Sequence, residues 1–485
     1  MGPPPFGHDV KSRLHLPAGA RPALRFLPPA RKPWLLAAAP FGSWLYVRFG
    51  NRVRREELFG MDRLLRAYQQ LQEGTSRVIV AFRHPGVEDG TMVFRLMTGI
   101  ASREARRAGI RLRTPPRGYF LYGRDVPLWA GRFLTWMLPL LGAISVVPGR
   151  YDSQSIATMR RYLTEMPHPL ALAPEGQVTY HNERVAALEA GTAQLAFWCL
   201  EDLKKQARRE DVLIVPVCTS YHYDQRDGKG VLRLLAATER ECGLPPLEGL
   251  EPPGGRRGGL PLDAAARAKV HARVMRIGRR LVEVAEDFYA RFYGARFEPR
   301  AGEESTAGLQ ERVRAVCEAA LGVAEGFFHL KPRGDFVHRV FAARQAGLLW
   351  MFREDVPDLD ELSPAERALA DRVAMETWLA NRHVELVDLL EYLRADYLQP
   401  DSGFDRFVEA VTNLWDLVNR LEGGNISGRV NPFRKTARIV VNEPIRVSPR
   451  WEAYRANRRE AVRGLTAEIL ASFRSVAEKG NVPAG

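Results

Sequence analysis

Residues 83–90 read Arg-His-Pro-Gly-Val-Glu-Asp-Gly, which places an imidazole and a carboxylate with four residues between them. A histidine can take the proton from a hydroxyl as that oxygen attacks a carbonyl. A carboxylate on its other ring nitrogen fixes the tautomer and stabilises the charged form. Taken alone, His84 and Asp89 serve equally as a helix cap or a solvated pair. A second polar group, Ala173-Pro174-Glu175-Gly176-Gln177, follows another apolar run. Glu175 there is suited to hold a substrate hydroxyl or to orient a basic group. Gly176 permits a close backbone approach or a positive φ, as it would in a plain turn. Arg83 beside the histidine and Arg150 beyond the run from Ala143 could together clamp an anionic group.

These residues need strand ends to bring them together. Arg77–Phe82, Ala143–Pro148, Leu170–Pro174 and Asp211–Tyr221 are short apolar runs that read as buried strands. Helical spacing marks Glu56–Gln72, Gly90–Arg103, Ser153–Met166 (capped by Ser153 or Ser155) and Val185–Lys204. Strands that alternate with helices predict an α/β fold with a mixed or mostly parallel sheet. Loops at the carboxyl ends of such strands converge on one edge. After a Gly/Pro-rich segment at 224–260, helices are expected at Ala264–Phe292, Ser305–Glu325, Phe336–Phe352, Ser363–Leu393 and Gly403–Leu421. One β-like run, Thr436–Val447, precedes a closing helix at Trp451–Ala477. A lone strand cannot stand by itself, so this run should rejoin the first sheet. The expected organisation is an arm at 1–55, an α/β domain at 56–223, a large helical insert at 224–430 and a return at 431–485.

The 485 residues carry a formal net charge of +14. Half of that sits in the first sixty residues, with ten Lys/Arg against three Asp/Glu. Such a surface favours anionic partners: nucleic acid, anionic lipid or phosphorylated substrates. No recognisable nucleic-acid-binding module appears. Four cysteines without a CxxC pair read as reduced thiols, and no zinc-like spacing is present. Pro33–Phe49 and Pro127–Pro148 are apolar, bear Trp or Tyr, and are interrupted by Pro, Gly or Arg. They fit interfacial attachment better than a span. A buried core segment is the competing reading.

The blocks together resemble the PlsC-type glycerolipid acyltransferases, which include glycerol-3-phosphate and lysophosphatidate acyltransferases. His84 and Asp89 match the family's His-x4-Asp block, and Gly142–Arg150 falls where the second block lies. Pro174-Glu175-Gly176 matches the third block, and Ile214-Val215-Pro216-Val217, with Tyr221 behind, the fourth. The resemblance covers about residues 60–223 and extends to Asn442-Glu443-Pro444-Ile445. It implies a glycerolipid acyltransferase-like mixed sheet flanked by helices. It also implies direct acyl transfer from acyl-CoA or acyl-carrier protein to a lysophosphatidate-like hydroxyl, with no metal and no bound cofactor. His84 would be the general base and Asp89 its orienting partner. Backbone amides near Gly86 or Gly176 are candidates for the oxyanion. Trp129–Leu141 is a candidate acyl lining.

This sequence departs from the family in two places. The second-block arginine is displaced to Arg150, and Gln177-Val178 replaces the usual Thr/Ser-Arg. Arg83, Arg124, Arg150 and Arg184 are the candidates to hold an acceptor phosphate instead. Glycerol 3-phosphate or another lysolipid is the alternative acceptor. A membrane- or nucleic-acid-binding protein without activity is the non-enzyme alternative. The expected location is peripheral, on the cytoplasmic side of the cell membrane.

Overall fold

A computed structural model describes residues 19–126, 131–147, 152–245, 263–298, 305–356, 358–424 and 428–479. The chain divides into two units. One comprises Phe26–His222 and Arg434–Gly485, and the other joins the described residues up to Arg25 to Tyr223–Phe433.

In the first unit, helix α1 (Pro33–Leu45) leads through a π turn into strand β1 (Val53–Phe59). Helix α2 (Met61–Glu73) and strand β2 (Ser76–Phe82) follow. Every residue of β2 is buried. A parallel strand covered on both faces requires such an unbroken apolar run. The chain leaves β2 into α3 (Asp89–Arg95), which runs through a π turn into α4 (Ala101–Arg107). Then come β3 (Tyr119–Gly123), α5 (Arg132–Leu140), β4 (Ile144–Val146), α6 (Ser153–Glu165), β5 (Leu170–Leu172), α7 (Gly191–Lys205) and β6 (Asp211–Tyr223).

The second unit is mainly helical. It contains α8 (Gly228–Glu241), α9 (Ala264–Tyr293), α10 (Thr306–Phe327), α11 (Phe336–Met351), α12 (Pro364–Tyr392) and α13 (Phe404–Leu421). A two-residue parallel pairing, Arg21–Pro22 with Phe352–Arg353, ties its N-terminal segment to the end of α11. The chain then returns to the first unit with β7 (Lys435–Val441), β8 (Ile445–Arg446), α14 (Trp451–Ala456) and α15 (Arg458–Ala477).

The resulting fold is mixed α/β, with strand order β1-β7-β6-β2-β5-β3-β4 and β8 antiparallel to β6. The β-like run after the helical segment thus lies inside the sheet, next to β6. β2 pairs in parallel with β5 (Ile79 opposite Leu170) and with β6 (Phe82 opposite Val217). Ile79, Leu170, Ile214, Phe197 and Phe473 belong to one buried cluster beneath the strands.

Several elements differ from the sequence reading. The arm expected at 1–55 is split between the units at Arg25. Glu56–Phe59 is strand, and the helix begins at Met61. Strand β3 was not expected. Asp152, rather than Ser153 or Ser155, caps α6 by accepting from the Ser155 amide. The helix expected from Val185 begins at Gly191. α8 occupies part of the Gly/Pro-rich segment, of which 246–260 lies outside the described residues. The closing helix breaks at Asn457, whose side chain caps α15. Of Pro127–Pro148, α5 is surface helix, while Ala143 and Ile144 are core. Residues 127–130 and Pro148 lie outside the described residues.

Candidate active site

β2 is central, and the polar residues at its carboxyl end meet residues from both neighbouring strands. Beyond Phe82, the Arg83 amide still donates to Val217 O (3.0 Å), and His84 O accepts from the Thr179 amide (2.9 Å). Pro85 and Gly86 then turn the chain into α3. A β-carbon at Gly86 would lie 2.9 Å from Glu88 Oε2 and 3.2 Å from the Tyr221 ring, so a side chain there would have to displace these neighbours. This turn brings Asp89 back to His84, with Nδ1 3.2 Å from Oδ2.

Asp89 is fully buried and receives two further donors. The Gly86 amide donates to Oδ2 (2.6 Å), and the Tyr221 hydroxyl donates to Oδ1 (2.5 Å). Both carboxylate oxygens are therefore acceptors. This assigns the Nδ1 proton to His84 and leaves Nε2 as the ring's acceptor. The His84 side chain is 22% exposed and that of Asp89 0%. The imidazole thus reaches the surface while the carboxylate stays dry.

Glu175 lies at the end of β5 and is 2% exposed. Its Oε2 accepts from the His84 backbone amide (2.6 Å), and its Oε1 lies 3.8 Å from Arg83 Nε. Glu175 positions the His84 backbone rather than offering an open hydroxyl contact. Gly176 has φ +70°, and a β-carbon there would lie 2.3 Å from Glu189 Oε1. The turn itself demands glycine. The amides of Gly86 and Gly176 are both committed within the fold, the latter to Ala173 O (3.2 Å). Of the backbone amides expected near Gly86 or Gly176 to face an oxyanion, these two are therefore already engaged.

Arg83 also differs from expectation. It is 1% exposed, and its guanidinium donates to the carbonyls of Asn182 (2.5 Å), His181 (3.0 Å) and Arg184 (2.5 Å). Successive side chains of an extended segment point to opposite faces, so the neighbour of the half-buried His84 turns inward. Arg83 anchors the 181–184 loop and is not open to a substrate phosphate. Arg150 lies outside the described residues. Arg124 pairs with Asp152 and donates to Ser155 Oγ (3.2 Å).

Three contributors had little sequence signal. Tyr221 was visible only as a residue behind the fourth block. Asn182 exchanges hydrogen bonds with the Tyr221 backbone, at 2.6 Å from its Nδ2 and 2.8 Å to its Oδ1. Lys435, the first residue of β7, forms a buried ion pair with Glu88 and lies 4.9 Å from the Tyr221 ring centroid.

Burial alone would pull the His84 pKa down. The hydrogen bond and charge of Asp89, with Glu175 and Glu88 behind, outweigh that and hold it above the ordinary histidine value. Burial pushes the Asp89 and Glu175 carboxyls up, against the opposing effects of their partners. Among the described residues, no group of three or more His, Cys, Asp or Glu side chains is arranged to hold a metal ion. No protein-family model matches the chain, and no curated protein matches it.

Proposed function

We propose that the protein is an O-acyltransferase moving a fatty acyl group from a thioester donor, acyl-CoA or acyl-carrier protein, to the hydroxyl of a lysophosphatidate-like acceptor. The observation that carries this reading is the His84–Asp89 pair at the carboxyl edge of the sheet. Its imidazole is the only member of the buried network that reaches solvent appreciably. His84 Nε2 takes the proton as the acceptor oxygen attacks the thioester carbonyl. The C–O bond forms, and collapse of the tetrahedral intermediate breaks the C–S bond. The imidazolium then returns the proton to the leaving thiolate. Asp89 holds the imidazole in the productive tautomer throughout. The order of the four blocks adds support, as does the basic charge of the chain, which suits an anionic acceptor.

No helix among the described residues is long and apolar enough to cross a membrane. Helix α1 and the turn after it expose Trp34, Phe41, Trp44, Leu45, Tyr46 and Phe49, and α5 exposes Phe133 and Trp136. Lys32, Arg48, Arg52, Arg54 and Arg55 accompany α1 with no acidic residue between positions 32 and 55. Aromatic side chains beside cations suit the interface of an anionic bilayer. Peripheral attachment on the cytoplasmic side follows from this reading. The test is a labelled acyl-CoA assay on anionic vesicles with lysophosphatidate, glycerol 3-phosphate and a neutral monoacylglycerol. Lysophosphatidate should be the best acceptor. Preference for the neutral lipid would overturn the acceptor class, and no transfer to any hydroxyl from either donor type would overturn the reaction.

A further inference from the structure

The opposite edge of the same sheet carries a cluster that acyl transfer does not use. Tyr119 opens β3 and pairs with Leu170, the first residue of β5, which in turn lies opposite Ile79 of β2. His84 is five residues beyond Ile79, which at ~3.3 Å per residue places the cluster about 16 Å from the dyad along the strands.

The Arg31 guanidinium and the His168 ring lie against Tyr119, and Arg117 precedes it by two residues. The Arg31 guanidinium lies 4.7 Å over the Tyr119 ring, and its Nη1 donates to the Tyr119 hydroxyl (2.7 Å). Its Nε is buried without a hydrogen-bond partner. Arg117 donates from Nη1 to the carbonyls of Thr98 (3.3 Å) and Pro116 (3.0 Å). The His168 ring centroid is 5.8 Å from that of Tyr119, and its Nδ1 is also buried and unpartnered. Among the described residues, neither guanidinium has a carboxylate within ion-pair distance. The three groups feel one another. Burial, and then the charges of Arg31 and Arg117, push the His168 pKa down to about 4, and burial followed by the Arg31 charge lowers that of Arg117.

Cations gathered without a counter-ion repel one another, and buried donors without acceptors are costly. One ligand resolves both. A phosphate monoester brings two negative charges and several acceptor oxygens, and it matches guanidinium donors with charge-assisted hydrogen bonds. We infer that Arg31, Arg117 and His168 form a phosphate-binding site at the amino-terminal edge of the sheet, separate from the His84 site. The phosphate belongs either to a free anion or to a lipid headgroup. Arg31 stands two residues before α1 and three before the exposed Trp34, which makes the lipid source accessible.

The site is tested on the full chain in two arms: equilibrium dialysis with labelled inorganic phosphate, and flotation on phosphatidylcholine vesicles with and without phosphatidic acid. Saturable binding is expected in at least one arm. It should weaken about tenfold or more in Arg31→Gln and in Arg117→Gln, and stay unchanged in His84→Ala and in the exposed-site control Arg66→Gln. A response to phosphate alone identifies a free anion; a response to phosphatidic acid alone, lost in Arg31→Gln and Arg117→Gln and kept in Arg66→Gln, identifies the headgroup. In wild type, the labelled His168 ring should also titrate at higher pH when the anion is bound, which keeps the test open if a variant misfolds. No saturable binding in either arm, equal binding in both arginine variants, or an unmoved His168 titration would overturn the inference. The outcome is independent of acyl transfer, because none of these residues belongs to the dyad network.

Discussion

At the carboxyl edge of the sheet, the buried carboxylates arrive already partnered. Asp89 accepts from His84, Gly86 and Tyr221, Glu175 accepts from the His84 amide beside Arg83, and Glu88 pairs with Lys435. At the amino edge, Arg31, Arg117 and His168 gather without one carboxylate among the described residues. The difference fits the roles proposed for the two edges. A site that does acyl transfer needs its base held in one tautomer and one orientation before substrate arrives, and the carboxylates here are partnered from within the fold, although Arg83 Nε beside them is buried without a hydrogen-bond partner. Donors left without acceptors suit a place that a ligand completes.

His84→Ala tests the saturated edge most severely. Turnover should fall between about 10²- and 10⁴-fold, while the far-ultraviolet circular dichroism and melting temperature stay at wild-type values. Transfer at the wild-type rate would place the chemistry elsewhere and dissolve the contrast between the edges.

Asp89→Asn should cost about 10²-fold in kcat and also move the pH profile. A general base works in its neutral form. His84 is held above its ordinary pKa, so activity is lost as pH falls through that raised value. The asparagine removes the charge that raises it and leaves the burial that lowers it, so the acidic limb should shift to lower pH. A purely structural role for Asp89 would reduce kcat without moving the limb, and kcat/KM measured against pH separates the two.

Arg83→Met should act on stability rather than on acceptor affinity. Deleting the guanidinium removes one donor from each of three carbonyls and takes the nearby cation from Glu175. Breaking a buried pair of this kind costs about 3–5 kcal/mol, readable by urea denaturation. A higher acceptor KM with unchanged stability would instead return Arg83 to a phosphate-holding role.

That reversal for Arg83 marks the boundary of what the sequence discloses. The buried strands β2, β5 and β6 were legible because an unbroken apolar run ending in polar residues has few other uses. β1 was not: Arg54, Arg55, Glu56 and Glu57 suit an end strand of the sheet, and Leu58 also satisfies helical spacing. Its partner β7 lies far along the chain, so no local signal announces the pairing. Asp89 could be paired with His84 because the two are close in sequence. The identity of Arg83 suggested a substrate contact, but its partners are backbone carbonyls a hundred residues away, which no side-chain pattern encodes. Lys435 was hidden in the same way, entering the site only when its strand joins the sheet.

Tyr221→Phe gives the smallest effect and the sharpest direction. The substitution removes one hydroxyl that donates to Asp89 Oδ1 and leaves the ring, the Asn182 contacts and the His84 pairing in place. Asp89 is fully buried, so water has little access to replace the lost donor. The carboxylate then concentrates its accepting capacity on His84 and Gly86. A stronger acceptor on Nδ1 stabilises the imidazolium further, so the His84 pKa should rise and the acidic limb of the activity profile move to higher pH. One charge-assisted hydrogen bond supports a change of about tenfold in kcat/KM near neutral pH. The signature is the sign, since Asp89→Asn should move the limb the other way. Profiles of both variants against wild type read it directly. Shifts in the same direction would mean that Tyr221 does not act on the base through Asp89, and that the carboxyl edge is less tightly coupled than its hydrogen bonds imply.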